Sequence, residues 1–478
     1  MTFPKNPSRV HLFQVEDRKF AFDVNNCIFT EVDNLAWDTL SASTRCSSES
    51  ELLSEIEQRY EKKAALEAIE ELKVLEEGGY LFSDDPLKNY KARLSPVTTL
   101  CLNIAQTCDL ACHYCFADGG SYGESGNMSH NIAKRAIDFL INNSGGSKKL
   151  TICFFGGEPL LNLKVVKSTI KYCKEKEKEF GLEFQYNITT NGTRLTQSVR
   201  EFLSTNKVSI IFSIDGPPEI HNVSRPFKDG SGSYDKISKN LKELISFSAE
   251  NNIDFSIRAT YTRKQHDISK VASHLVDLGC HDISVEPAVL RDDELEIRTQ
   301  DLPEIKETYS SFARSYIEEI RKGRIFSFFH FRHTMDQTHR ATRNLTQCGA
   351  GTGYLAVSAD GKIYPCHRFV GREEYVMGDV SEGILKQDIG EMFSSNHVNA
   401  KSKCLDCWAR YICGGGCHAY AIEYNNDISV PYDIECELMK HRIELGAYIY
   451  AELEDNYSNM LKEFYDASSR SRPYLSQN

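Results

Sequence analysis

Residues 98–116 read TTLCLNIAQTCDLACHYCF, an apolar run followed at once by three spaced cysteines. The stretch Thr99–Ile104 predicts a buried strand, because apolar and β-favouring residues fill it without a helical period. Cys108, Cys112 and Cys115 follow at C-x3-C-x2-C spacing. Downstream, further strands are predicted at Leu150–Phe155, Glu183–Thr189, Val208–Ile214, Asp254–Tyr261 and Asp282–Glu286. Amphipathic helices separate them near Asn131–Asn142, Leu163–Glu179, Thr196–Ser204, Tyr234–Ala249 and Ile268–Leu278. Strand–helix units in succession predict an α/β fold with a parallel sheet, and right-handed crossovers curl it into a partial (β/α)6 TIM-type barrel. Chemistry in such barrels sits at the carboxyl ends of the strands. The cysteine run is therefore expected at the barrel mouth.

The flanks read differently. In residues 1–90, His11, Phe13 and Val15 alternate with polar neighbours, as do Phe20, Phe22 and Val24 after a turn at Glu16-Asp17-Arg18. Helical stretches follow around Leu35–Leu40, Ser50–Tyr60 and Ala64–Glu77, and a last strand is predicted at Leu81 and Phe82. Together these predict a separate winged-helix-like module. Residues 95–290 hold the barrel, 291–345 a polar helical bridge, and 346–478 a cysteine-rich region closed by a long helix from about Tyr432 to Asp466.

Of 478 residues, 41% are hydrophobic, enough for a sizeable core, and the net charge of −12 argues against a general nucleic-acid binder. It also weighs against a DNA-binding role for the winged-helix-like module. No apolar run reaches the roughly 20 residues a membrane span needs, and the first residues lack the apolar core of a secretory signal. A cytoplasmic protein with neither membrane nor nucleic-acid partner is expected. There, sixteen cysteines point to metal rather than to disulfides.

Three thiolates do not complete a structural zinc site, which wants four ligands. They can hold a [4Fe–4S] cluster with one iron left for a small molecule. Phe155-Gly156-Gly157-Glu158-Pro159 follows the second barrel strand, offering close backbone approach and a carboxylate. Other strand ends carry Thr189-Thr190-Asn191-Gly192, Ser213-Ile214-Asp215-Gly216-Pro217, Arg258-Ala259-Thr260 and Val285-Glu286-Pro287. Toward the C-terminus stand Cys348, Cys366, Cys404, Cys407, Cys413, Cys417 and Cys436. Gly414-Gly415-Gly416 places Cys413 and Cys417 on a loop rather than in a helix, where each glycine costs about 1 kcal/mol. A zinc ribbon of Cys404, Cys407, Cys413 and Cys417 stays open on spacing, and with it a zinc-binding regulatory protein as the non-enzyme alternative.

The first cysteine run, with Tyr114 and Phe116 beside it, resembles the cluster motif of the radical S-adenosylmethionine (SAM) superfamily. The second cysteine region resembles the SPASM extension of its peptide-modifying members. The resemblance implies that Cys108, Cys112 and Cys115 hold a catalytic [4Fe–4S] cluster whose open iron takes SAM, yielding a 5′-deoxyadenosyl radical. It assigns cofactor contacts to Tyr114, Gly156, Gly157, Glu158 (methionine amino group), Asn191, Ser213 (ribose) and Arg258 (carboxylate). It further implies two auxiliary [4Fe–4S] clusters, for three in all. Cys404, Cys407, Cys413 and Cys436 fill the distal one, while Cys348, Cys366 and Cys417 hold the nearer with an iron open.

Tyr364-Pro365-Cys366-His367-Arg368 resembles the thioether-forming maturases of six-cysteines-in-forty-five-residues peptides and of the quinohemoprotein amine dehydrogenase small subunit. Sulfatase-activating relatives tend to have an acidic residue where His367 stands. The implied activity is a thioether between a cysteine and a β or γ carbon of an acidic residue in a ribosomally made precursor peptide. His367 is then a proton acceptor or a hydrogen-bonding neighbour. The alternatives are a C–C crosslink, an α-carbon thioether, epimerisation or formylglycine formation. The N-terminal module resembles a precursor-peptide recognition element, whose strand edge would take up the leader. A flavodoxin or ferredoxin would supply electrons.

Overall fold

The computed structural model describes residues 3–469 except 252, 292 and 341. Among these residues the strands form two sheets, one of three strands and one of twelve. The first is antiparallel, in the order β1 (Val10–Val15), β2 (Arg18–Asp23), β3 (Ile28–Glu31), and is followed by α1 (Asn34–Ser43), α2 (Glu49–Ile56) and α3 (Lys62–Glu77). Asp33 and Ser48 cap α1 and α2 by accepting from backbone N–H groups of the first turns. The alternation of β1 and β2 buries Phe13, Phe20 and Phe22 on one face, and Val10 and Ala21 against Leu40 and Leu72 on the other.

Two details correct the sequence reading. A third strand, β3, joins the hairpin, and Leu81 and Phe82 form no strand. Their side chains plug the core between β1 and α3, so their apolar character serves burial rather than pairing.

The large sheet begins with β4 (Thr99–Gln106), to which the short β5 (Gly126–Asn127) is attached, followed by α4 (His130–Asn143). Then come β6 (Lys149–Gly156), α5 (Leu163–Phe180), β7 (Glu183–Thr190), α6 (Gln197–Thr205) and β8 (Val208–Ser213). Next are α7 (Pro218–Ser224), α8 (Tyr234–Asn251), β9 (Phe255–Tyr261), α9 (Ile268–Asp277) and β10 (Asp282–Pro287). Strands β4, β6, β7, β8, β9 and β10 lie side by side in that order, every pair parallel. The predicted partial (β/α)6 architecture is present.

Both flanks extend it. In the expected helical bridge, α10 (Leu302–Arg321) and α11 (Phe329–Arg340) enclose β11 (Ser327–Phe328), which pairs in parallel with β10. On the opposite side β12 (Tyr354–Val357) pairs in parallel with β4, then β13 (Lys362–Tyr364), β14 (Gly378–Asp379) and β15 (Gly383–Ile384) continue the sheet antiparallel. The cysteine-rich region is thus built onto the barrel sheet, so a sequence boundary at residue 346 is not a structural seam. It continues through α12 (Gln387–Ser395), α13 (Ser402–Leu405), α14 (Arg410–Cys413), α15 (His418–Asn425) and the long α16 (Asp433–Ser469). Gly414, Gly415 and Gly416 all have φ between 72° and 85°, a left-handed run that only glycine adopts readily, and they turn the chain from α14 to α15. Among the described residues no helix is long and apolar enough to cross a membrane.

Candidate radical and cluster site

The loop after β4 is held over the barrel mouth by backbone bonds. Ala111 N–H donates to Pro226 O at 2.9 Å and His113 N–H to Ser224 O at 3.0 Å. Cys108, Cys112 and Cys115 thereby face one cavity of about 180 Å³. The same cavity is lined by Tyr114, Gly156, Gly157, Asn191, Ser213 and Arg258, contributed by the ends of β4, β6, β7, β8 and β9. One predicted contact is missing from that wall.

Glu158 is fully buried behind the cavity. One carboxylate oxygen accepts from Leu160 N–H at 2.9 Å and the Thr190 hydroxyl at 2.8 Å, and the other from Asn191 N–H at 2.7 Å. Burial raises its carboxyl to a pKa of about 7, against the pull of these donors. Its observed work is to fix the β7 end carrying Asn191 rather than to face the cavity. Sequence could not reveal this, since two of the three donors come from the end of β7, more than thirty residues away.

Asn191 donates to Asp109 at 2.8 Å and reaches Cys108 Sγ at 3.6 Å, while Leu110 N–H reaches the same sulfur at 3.4 Å. Tyr114 donates to Asp215 at 2.6 Å and accepts from Arg225 at 2.7 Å. Asp215 also accepts from Thr260 N–H at 3.0 Å, tying β9 to the cysteine loop. Arg225 carried no sequence signal, because its partners lie far along the chain.

Gly156 and Gly157 bring β6 against the cysteine loop. A Cβ on Gly157 would lie 2.2 Å from Thr107 O and 3.0 Å from Cys108 N. Burial pushes the Cys108 thiol up to about 12 and Cys112 to about 11, so both stay protonated until a metal displaces the proton. Three thiols on one wall, N–H donors to one sulfur and a close backbone cradle fit a cluster held by three cysteines.

A separate cavity of about 360 Å³ is lined by Cys404, Cys407, Cys413 and Cys436. Cys348, Cys366 and Cys417 stand apart from it but near enough to influence one another electrostatically. Cys348 is exposed and Cys366 buried. Among the described residues no three Cys, His, Asp or Glu side chains converge as they would on a single metal ion. None of the sixteen cysteines is in a disulfide.

His367 bonds Tyr354 Oη through Nδ1 at 2.7 Å and packs on Phe155 with ring centroids 4.7 Å apart. Burial, helped by Arg368 and Arg258, lowers its pKa to about 3. The ring is a neutral, anchored group and a poor base. Of the two roles the sequence left open, the hydrogen-bonding one matches this setting.

A further cavity of about 400 Å³ meets the first at Phe116, Tyr122, Val289 and Arg368. It lies between the barrel loop 116–123 and residues 368–372 and 419–423. The Arg368 guanidinium sits 4.2 Å over the Phe116 ring and 5.3 Å from that of Tyr420. Arg368 and Tyr420 line the inner cavity too. Neither was predicted from sequence, although an arginine two residues after Cys366 was a usable hint.

Residues 102–267 match the Radical SAM superfamily, and residues 348–408 match SPASM, an iron–sulfur cluster-binding domain. The chain thus combines a radical SAM core with a SPASM domain, a pairing that implies SAM and more than one [4Fe–4S] cluster. An uncharacterized protein of Methanocaldococcus jannaschii is 31% identical over 188 residues, spanning 39% of this chain and 61% of that protein. The cysteine-type anaerobic sulfatase-maturating enzyme of Clostridium perfringens (strain 13 / Type A) is 24% identical over 375 residues, 73% of this chain and 96% of that enzyme. A solved structure of native anSMEcpe with bound AdoMet and Kp18Cys peptide superposes with a TM-score of 0.63 at 20% identity, covering 78% of this chain and 99% of that one. At that identity the likeness is one of fold.

Proposed function

We propose that this chain is a radical SAM enzyme that joins a cysteine sulfur to a side-chain carbon of an acidic residue in a ribosomally made precursor peptide. The supporting observation is the partition of the C-terminal cysteines. Four rim one cavity, and Cys348, Cys366 and Cys417 influence one another electrostatically apart from it, while Cys101, also within range of Cys366, lies buried in β4. In this reading Cys108, Cys112 and Cys115 hold the catalytic cluster, with Gly156, Gly157, Asn191, Ser213 and Arg258 around SAM. When bound, that pair supplies a 5′-deoxyadenosyl radical able to take hydrogen from carbon.

Cys404, Cys407, Cys413 and Cys436 hold a complete cluster, while Cys348, Cys366 and Cys417 leave one ligand position for the substrate thiol. Arg368, between the inner and outer cavities, can meet the carboxylate of the acidic residue. The leader peptide adds to the β3 edge, and a flavodoxin- or ferredoxin-type partner delivers electrons.

The expected product is lighter than its precursor by two hydrogens per crosslink and keeps its sulfur. Formylglycine formation from cysteine would lose the sulfur, so mass spectrometry separates the two. The electron paramagnetic resonance (EPR) spectrum of the auxiliary clusters should change on adding a cysteine-containing peptide and not its Cys→Ala variant. Identical spectra with both peptides would remove the thiol-ligation reading.

A further inference from the structure

Resting on the reading that the C-terminal cysteines hold iron–sulfur clusters, we propose that Lys401 is their buried countercharge and holds their reduction potentials up. Lys401 is fully buried, and its ammonium donates to Gly415 O at 2.9 Å. That carbonyl lies midway along the Cys413–Cys417 loop, whose two ends belong to different cysteine groups. A Cβ added at Gly415 would come within 3.7 Å of Lys401 Cδ and 3.8 Å of Nζ, so the loop wraps closely around the lysine stem.

Among the described residues no carboxylate lies within ion-pair distance of this ammonium, and the exposed Asp427 feels its charge only from further off. Lys403, two residues on, provides the contrast. Its side chain is 48% exposed and paired with Asp433 at 2.6 Å, as a surface lysine commonly is.

A buried cation without a carboxylate is costly unless negative charge reaches it by another route. Burial is the larger influence and lowers the Lys401 pKa, opposed by the sulfurs of Cys404, Cys413, Cys417 and Cys436, which favour its charge. Those sulfurs span both cysteine groups. Filling both groups places thiolate and cluster charge around the ammonium. A cluster becomes more negative when it takes an electron, so a fixed positive charge nearby stabilises the reduced form. Lys401 is then a positioning and tuning residue, touching neither peptide nor SAM.

The test is an EPR-monitored redox titration of the auxiliary clusters in the full-length, iron-reconstituted enzyme. Lys401→Met and Lys401→Gln should load wild-type iron and titrate at lower midpoint potentials, with Lys401→Arg close to wild type. Lys322→Met, at a lysine at the end of α10 paired with Glu319, should leave the potentials unchanged. Neutral variants with full iron and a wild-type midpoint would overturn the proposal. If the neutral variants lose iron, retention by Lys401→Arg supports a charge requirement, and loss in all three assigns Lys401 a strut's role and refutes it. Failure of the wild-type C-terminal cysteines to hold iron would instead strike the underlying reading, so the two failures are distinguishable.

Discussion

Gly157→Ala is expected to give a protein that retains its sheet, lacks iron at the barrel mouth and makes no 5′-deoxyadenosine. The cause is steric and local. The added Cβ would lie 2.2 Å from Thr107 O, 2.5 Å from Thr107 C and 3.0 Å from Cys108 N, all backbone atoms that no rotamer change can remove. Gly157 N–H donates to Ala105 O at 2.7 Å and Glu158 N–H to Thr107 O at 2.8 Å, so β6 and the cysteine loop cannot part without losing these bonds. Forced overpacking costs about 1–3 kcal/mol, a loss the large core can absorb. Cys108 must move with the displaced loop, and a three-cysteine site has no spare ligand. Gly126→Ala is the control, since nothing lies within 4 Å of its added Cβ. Iron and sulfide content with chromatography of the reaction products checks both. Wild-type iron and turnover in Gly157→Ala would show that the close approach is not needed.

Deleting residues 1–90 is expected to destabilise the C-terminal cysteine region as well as to abolish peptide processing. The sequence reads this module as separate. Contacts in the structure argue otherwise. Phe13, Phe20 and Phe22 share one buried cluster with Cys404, Tyr411 and Ile412. His11 stacks on Trp408 at 3.9 Å, and Arg410 donates to Asn25 at 2.6 Å. Exposing an aromatic cluster at about 1.5–3 kcal/mol per side chain removes much of a typical domain's margin. The truncated protein should aggregate or lose iron from the Cys404, Cys407, Cys413 and Cys436 group. A monodisperse truncation with wild-type iron would contradict this.

The leader proposal needs a milder probe in the same experiment. Val32 N–H donates inward to Lys19 O, so by alternation the Glu31 N–H points away from β2. Glu31→Pro blanks that edge and should raise KM for leader-bearing peptide while SAM cleavage without peptide stays unchanged. An unaltered KM would refute strand addition there.

The barrel was legible because its strands are six to eight residues long and separated by amphipathic helices, which gives periodicity a window to act in. Strands of two to four residues, such as β3, β11 and β12, offer no such window. They exist because tertiary pairing selects them. The first cysteine group was readable from its C-x3-C-x2-C spacing, whereas the two C-terminal groups came from the family resemblance, because spacing alone left Cys404, Cys407, Cys413 and Cys417 together. Side-chain direction was not readable. Glu158 turns inward to donors on β7, and Tyr114, Asp215 and Arg225 meet across 111 residues of chain. Lys401 and Arg368 gain meaning only from burial and ring contacts that no linear pattern encodes.

The most direct test of the account is anaerobic incubation of the reduced, iron-reconstituted protein with SAM, followed by quantification of 5′-deoxyadenosine. Formation of the nucleoside, abolished by Cys112→Ala, is the expected result. Fully loaded, reduced protein that leaves SAM intact would contradict the claim that the barrel-mouth cysteines generate a radical.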